Sequence, residues 1–171
     1  AGVAPRERME RTERKASETA QLLGELRKAK YTPGIALNDW LEKHHQPEAQ
    51  NGLSAVELLK RPEITLSALA ELSPEIRQFG KPAQEQAEIS VKYEGYLERQ
   101  ETLIRHARQM EETLLPEDLP YEEVTGLRIE ARQKLMKQRP RSLAAASRIP
   151  GVSPADVAVL MVFLEKHKGN A

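Results

Sequence analysis

The sequence predicts an all-α protein: a helical bundle with a long central helix and a smaller C-terminal helical subdomain. Three observations carry that expectation. Leu, Ala, Glu, Arg, Lys and Gln dominate the 171 residues and are good helix formers, while aromatic residues make up only 4%. Apolar residues recur at helical spacing over most of the chain. Pro and Gly stand singly, as stops between helical stretches.

From about Pro5 to Lys30 the chain reads as a helix, with Met9, Ala16, Ala20, Leu23 and Leu26 as its apolar stripe. "YTPG" stops it, and Pro33 can start a second helix carrying Ile35, Leu37, Trp40 and Leu41. "QPEAQNG" reads as a loop. Ser54 can cap "AVELLK" and Thr65 can cap "LSALAEL". Such a helix pair can read DNA, but "LSALAELSPE" has no Arg, Lys, Asn or Gln to reach a base edge, so packing is expected of it.

Residues 73–82 hold Pro74, Gly80 and Pro82 and read as a boundary loop. Ile89, Val91 and Tyr93 alternate like a strand, but Tyr96, Leu97, Leu103, Ile104, Ala107, Met110 and Leu114 follow helical spacing. The helix is expected to win, because an isolated strand would have no partner. Gly95 inside it costs about 1 kcal/mol relative to Ala, which suggests close approach of another backbone there. A loop with Tyr121 follows, then "LRIEARQKLMKQ" and "SLAAASRI" as helices. Ser153, Pro154 and Asp156 supply the last helix with an N-cap, a first-turn Pro and a capping-box carboxylate. That helix is apolar on one side through Val157, Leu160, Met161 and Leu164, and on the other through Val159, Val162 and Phe163. It should be buried on both sides or lend one to a partner. The division into subdomains is expected near Pro116, giving 1–115 and 116–171.

Several function classes find no support. Zero cysteines exclude a disulfide framework and thiolate chemistry. The longest apolar run, Val157 to Leu164, is far short of the ~18–20 residues of a membrane span. The opening "AGVAPRERMER" is charged where a signal peptide would be apolar, and reads as linker within a longer protein. Neither GxGxxG nor GxxxxGK[ST] occurs. His44 and His45 are adjacent and so face different ways, and neither His106 nor His167 has a second ligand one helical turn away. No catalytic, cofactor-binding or metal residue is assigned.

Charge is zero overall but segregated. Glu111, Glu112, Glu117, Asp118, Glu122 and Glu123 form an acidic stretch. Arg128, Arg132, Lys134, Lys137, Arg139, Arg141 and Arg148 follow against the single acid Glu130. Cations beside a Pro-Gly turn and a helix N-terminus can gather phosphates. They can equally form a solvated face balanced by the acids before them. The segment "IPGVSPADVAVL" also resembles a helix-hairpin-helix turn, with Ser153 where a second Gly is expected.

Together, "KYEGYLERQ" (Lys92 to Gln100), "LPEDLPYEEVTGLRIEARQKL" and "RPRSLAAASRIPGVSPADVAVLMVFL" (Arg139 to Leu164) resemble the C-terminal region of the MnmG (GidA) family, the tRNA uridine 5-carboxymethylaminomethyl modification enzymes. "LLKRPEITLSALAEL" and the first helix fit upstream parts of the same region. Arg128 and Ile129 depart from it, standing where a Ser-containing "GLS" is common. The resemblance implies a parent flavoprotein, homodimeric and cytoplasmic, that binds FAD and NADH in a Rossmann-like domain outside these residues. It implies work with the GTPase MnmE on the wobble uridine of tRNA. The fragment, itself without cofactor, would dock both tRNA and MnmE. Tyr93, Gly95, Tyr96, Arg99, Gly151, Pro154, Val159 and Phe163 are the candidates for partner or helix contact, and the seven cations for tRNA. The alternative is a structural or protein-docking bundle without nucleic-acid contact.

Overall fold

The computed structural model describes residues 3–168. It divides between Arg99 and Gln100 into two compact units, each with its own apolar core. In chain order the first unit holds α1 (Val3–Lys28), β1 (Lys30–Tyr31), α2 (Ile35–Lys43), β2 (Leu53–Ser54), α3 (Ala55–Leu59) and α4 (Leu66–Leu69). A 3-10 turn, Pro74–Gln78, leads into α5 (Lys81–Glu112), which runs through the division. The second unit continues with α6 (Ile129–Gln138), α7 (Leu143–Ser147) and α8 (Pro154–Lys168). The all-α class and the long helix are as the composition predicts. None of the described helices is long and apolar enough to cross a membrane.

In the first unit the short helices form where local capping predicts. Ser54 Oγ accepts from Glu57 N at 3.2 Å, and Glu57 Oε2 accepts from Ser54 N at 2.6 Å, a reciprocal capping box. The Ser54 bonds hold the Glu57 carboxyl below its ordinary pKa. Thr65 Oγ1 accepts from Ala68 N at 3.1 Å. The core gathers Leu22, Leu26, Leu37, Trp40, Leu41, Leu58, Leu59 and Ile64. Sequence reading missed the two-residue antiparallel pair of β1 and β2, in which Lys30 faces Ser54 and Tyr31 faces Leu53. Neither segment is strand-like alone. The pairing closes because α1 packs against α3, and Ala55 N also donates to Ala29 O at 3.0 Å.

Two expected stripes are corrected. In α1 the buried residues are Thr19, Leu22 and Leu26, while Met9 is 63% exposed and Ala16 and Ala20 face solvent. Only the C-terminal half of that helix meets the core. In α5 the helical register holds, but its buried residues are Ala83, Ala87, Val91 and Gly95, one at every fourth position. Tyr96, Leu97, Leu103 and Ile104 stay exposed, as does Leu114 just beyond the helix. Small side chains let the helix axis approach the core closely, which leaves the bulky apolar residues outside.

α5 also holds the α3–α4 pair by charge. Glu88 Oε2 accepts from Leu66 N, at the start of α4, at 2.8 Å. One turn on, the Lys92 ammonium donates to the carbonyls of Arg61 and Ile64, and to that of Pro62 at 3.3 Å. A carboxylate thus meets the start of a helix, and an ammonium satisfies carbonyls of the turn that joins α3 to α4. Burial pushes the Lys92 pKa down.

The division falls before Gln100 rather than near Pro116. Leu115 belongs to the second core and Met110 packs against it. The backbone also ties this stretch to α7, with Leu115 N donating to Arg141 O at 2.9 Å and Leu143 N to Thr113 O at 3.0 Å. Leu119, Tyr121, Val124, Leu135, Leu143 and Leu160 complete that core. In α8, Val157, Leu160 and Leu164 are buried, Val159, Met161 and Phe163 half-buried, and Val162 is 51% exposed. The apolar run therefore serves mostly the second core.

Candidate nucleic-acid interface

The basic segment of the second unit is built around one carboxylate. Asp156 is the third residue of α8 and is 1% exposed. It accepts from Ser153 N at 2.9 Å and Ser153 Oγ at 2.7 Å, while Asp156 N donates back to Ser153 Oγ at 3.3 Å. The capping box read from sequence is present. The same carboxylate accepts from Arg128 Nη2 at 2.7 Å, Nε at 3.1 Å and the Arg128 amide at 3.3 Å. Arg128 is the N-cap of α6, so the starts of α6 and α8 converge on Asp156. Arg128 first, and then the Ser153 bonds, hold its carboxyl far below the ordinary Asp range against the opposing effect of burial.

That arrangement decides what the turn can offer a ligand. Val152 N donates to Ile149 O at 3.0 Å and Ser153 N to Asp156, so neither amide is open to a phosphate. The start of α8 holds a carboxylate of the chain itself. Gly151 has φ +99°, a left-handed conformation that L side chains rarely adopt. A Cβ there would also lie 2.7 Å from Glu130 Oε1.

The seven cations separate into two groups. Arg128 is spent on Asp156 and on Gly151 O, at 3.1 Å. Arg132 donates to Val124 O at 3.4 Å. Arg139, itself left-handed at φ 43°, donates to Glu117 O at 3.2 Å and Leu119 O at 2.8 Å, and lies 5.2 Å over the Tyr121 ring. Arg148 pairs with Glu111. Lys134, Lys137 and Arg141 are exposed, and among the described residues none of them has an ion pair or side-chain hydrogen bond. Lys134 and Lys137 are three apart on α6 and lie on neighbouring surface of that helix.

The docking candidates also separate. Tyr93 (61%) and Tyr96 (51%) are exposed on α5, joined by Ile89 (61%), which alternation had suggested was strand. Gly95 instead faces inward. A Cβ on it would stand 3.0 Å from Lys60 Cβ and 3.1 Å from the Lys60 carbonyl oxygen. Arg99 Nη1 donates to that same carbonyl at 3.0 Å. Lys60, whose ammonium pairs with Glu98 at 2.7 Å, was not singled out by any sequence signal. Pro154 is exposed at the start of α8. Val159 and Phe163 line an open cavity of about 550 Å³ with Val162, Lys166 and His167, and Phe163 stacks on His167 at 4.0 Å. No group of three His, Cys, Asp or Glu side chains among the described residues is placed to share a metal ion.

Comparison with known proteins is consistent over both units. Residues 6–101 match the family described as tRNA modifying enzyme MnmG/GidA C-terminal helical domain, and residues 103–171 that described as its C-terminal helical bundle. The tRNA uridine 5-carboxymethylaminomethyl modification enzyme MnmG of Alkaliphilus metalliredigens is 40% identical over 98% of this chain and 26% of its own length. That of Caldicellulosiruptor saccharolyticus is 37% identical over 98% and 27%. A crystal structure of Aquifex aeolicus GidA is 25% identical, covering 92% of this chain and 24% of that one, with a TM-score of 0.37. The chain therefore spans about a quarter of the length of the curated relatives it matches. Across both of its units, it belongs to the C-terminal helical region of the MnmG/GidA tRNA-modifying enzymes.

Proposed function

We propose that this chain is the docking end of a flavoprotein that installs the 5-carboxymethylaminomethyl group on the wobble uridine of tRNA, and that it holds tRNA phosphates. Exposed Lys134, Lys137 and Arg141, which form no ion pair or side-chain hydrogen bond among the described residues while the other four cations bond to groups of the chain, carry the reading. Unpaired surface cations gain most from phosphate neutralisation, since they give up no internal contact to make it. In this reading the parent binds FAD and NADH in a domain outside these residues and acts as a cytoplasmic homodimer. Its GTPase partner MnmE docks on exposed helical surface such as that around Ile89, Tyr93 and Tyr96.

The test is tRNA binding by the 171-residue chain at two salt concentrations, beside a Lys134→Glu, Lys137→Glu, Arg141→Glu variant. The variant should keep its melting temperature and bind more weakly, with the salt dependence reduced by roughly one unit per lost phosphate contact. Unchanged affinity and slope would reject the reading and leave the protein-docking bundle.

A further inference from the structure

We infer that the first unit carries a second anion-binding groove, between the N-terminal half of α1 and the start of α5, which takes an RNA phosphodiester backbone. The inference rests on the tRNA reading above but uses none of its residues.

The observation is a change of chemistry along one helical stripe. Leu26, Leu22 and Thr19 are the core-facing residues of α1. The same face continues toward the N-terminus through Lys15, Arg11 and Arg8, at helical spacings of four, four and three. Core-facing direction and positive charge coincide there, at the point where the core ends. Opposite lies the start of α5, and together they line an open groove of about 640 Å³ with Arg11, Thr12, Arg14, Lys15, Gly80 and Pro82 at its walls.

An apolar occupant would have to desolvate these cations, which is costly. An anion suits them. Arg11 and Arg14 form no ion pair among the described residues, and Lys15 has only the neutral Gln86 Oε1, at 3.2 Å. Glu13 falls on the far side of the helix, and Glu10, one turn before Arg14, makes no ion pair with it among the described residues. Glu7, one turn before Arg11, makes no ion pair with it. Glu18, also on the groove, shows what the site prefers: its carboxylate accepts from Gly80 N, at the entry to α5, at 3.2 Å. Two guanidinium groups, each able to hold a phosphate by two parallel bonds, suit the closely and regularly spaced charges of a phosphodiester backbone.

The experiment compares two variants of the whole chain against a transcribed tRNA bearing a wobble uridine, across a salt series. One is Arg11→Gln, Arg14→Gln, Lys15→Gln, and the other is Lys134→Gln, Lys137→Gln, Arg141→Gln. These are neutralisations at exposed positions, and unchanged melting checks the fold. The α1 variant should bind about tenfold or more weakly, with the salt slope lowered by roughly two units. If only the second variant loses affinity, the groove does not take RNA and the general reading stands. If wild type does not bind tRNA at any salt, both fail. If the α1 variant instead loses binding to an acidic peptide while keeping tRNA affinity, the occupant is protein and the inference is overturned.

Discussion

Replacing Asp156 with Ala should unfold the second unit far more easily than its size suggests. One side chain supplies the capping box of α8, accepts the amide at the start of α6 and neutralises Arg128. Ser153 Oγ still accepts from the amide of residue 156, so the loss at this cap is the bond from Ser153 N, about 1 kcal/mol. The Arg128 pair adds little, since the Arg side chain is 56% exposed and water screens it. The Arg128 amide, left without an acceptor, adds about 1 kcal/mol more. The total is about 2 kcal/mol, or roughly 8–16 °C in the melting of a unit of this size. Because the native pKa of Asp156 is depressed, its contribution is full above the ordinary Asp value near ~4 and fades as pH falls through the native one. Thermal melts by far-UV circular dichroism at several pH values, comparing wild type, Asp156→Ala and Arg128→Met, would separate these effects. Arg128→Met should cost less than Asp156→Ala and keep the capping box. A loss below about 1 kcal/mol for Asp156→Ala, with the acid dependence of wild type unchanged, would refute the convergence of two helix starts on this carboxylate.

Other changes test separate contacts. Gly95→Leu should destabilise the first unit by about 2 kcal/mol in urea unfolding, because the Lys60 carbonyl stands where the new side chain would begin. Lys92→Met should cost about 2 kcal/mol and loosen hydrogen-exchange protection of residues 61–64, whose carbonyls the ammonium satisfies. Gly151→Val should lower the melting temperature of the second unit. Adding Glu130→Ala should restore only part of it, since removing the clash leaves the φ of +99° unrelieved.

What the sequence by itself determined is what short windows encode. The Ser54 and Thr65 caps, the capping box Ser153–Asp156, the stop at "YTPG" and the long helix after the boundary loop depend on partners within a few residues. The tight position of Gly95 was legible too, because a mid-helix Gly is costly without a reason to be there. The seven-residue basic run was visible as charge. Its division into consumed and free cations was not, because Arg128 meets Asp156 and Arg148 meets Glu111 across 28 and 37 residues. Likewise helical period marks an apolar residue without saying which face turns inward. On α5 the tertiary structure chose the face of Ala83, Ala87, Val91 and Gly95, where small side chains allow close packing, and left Tyr93 and Tyr96 outside. Charge pairing and face choice are settled only when distant segments meet, since their energies come from burial and contact rather than from local backbone preference.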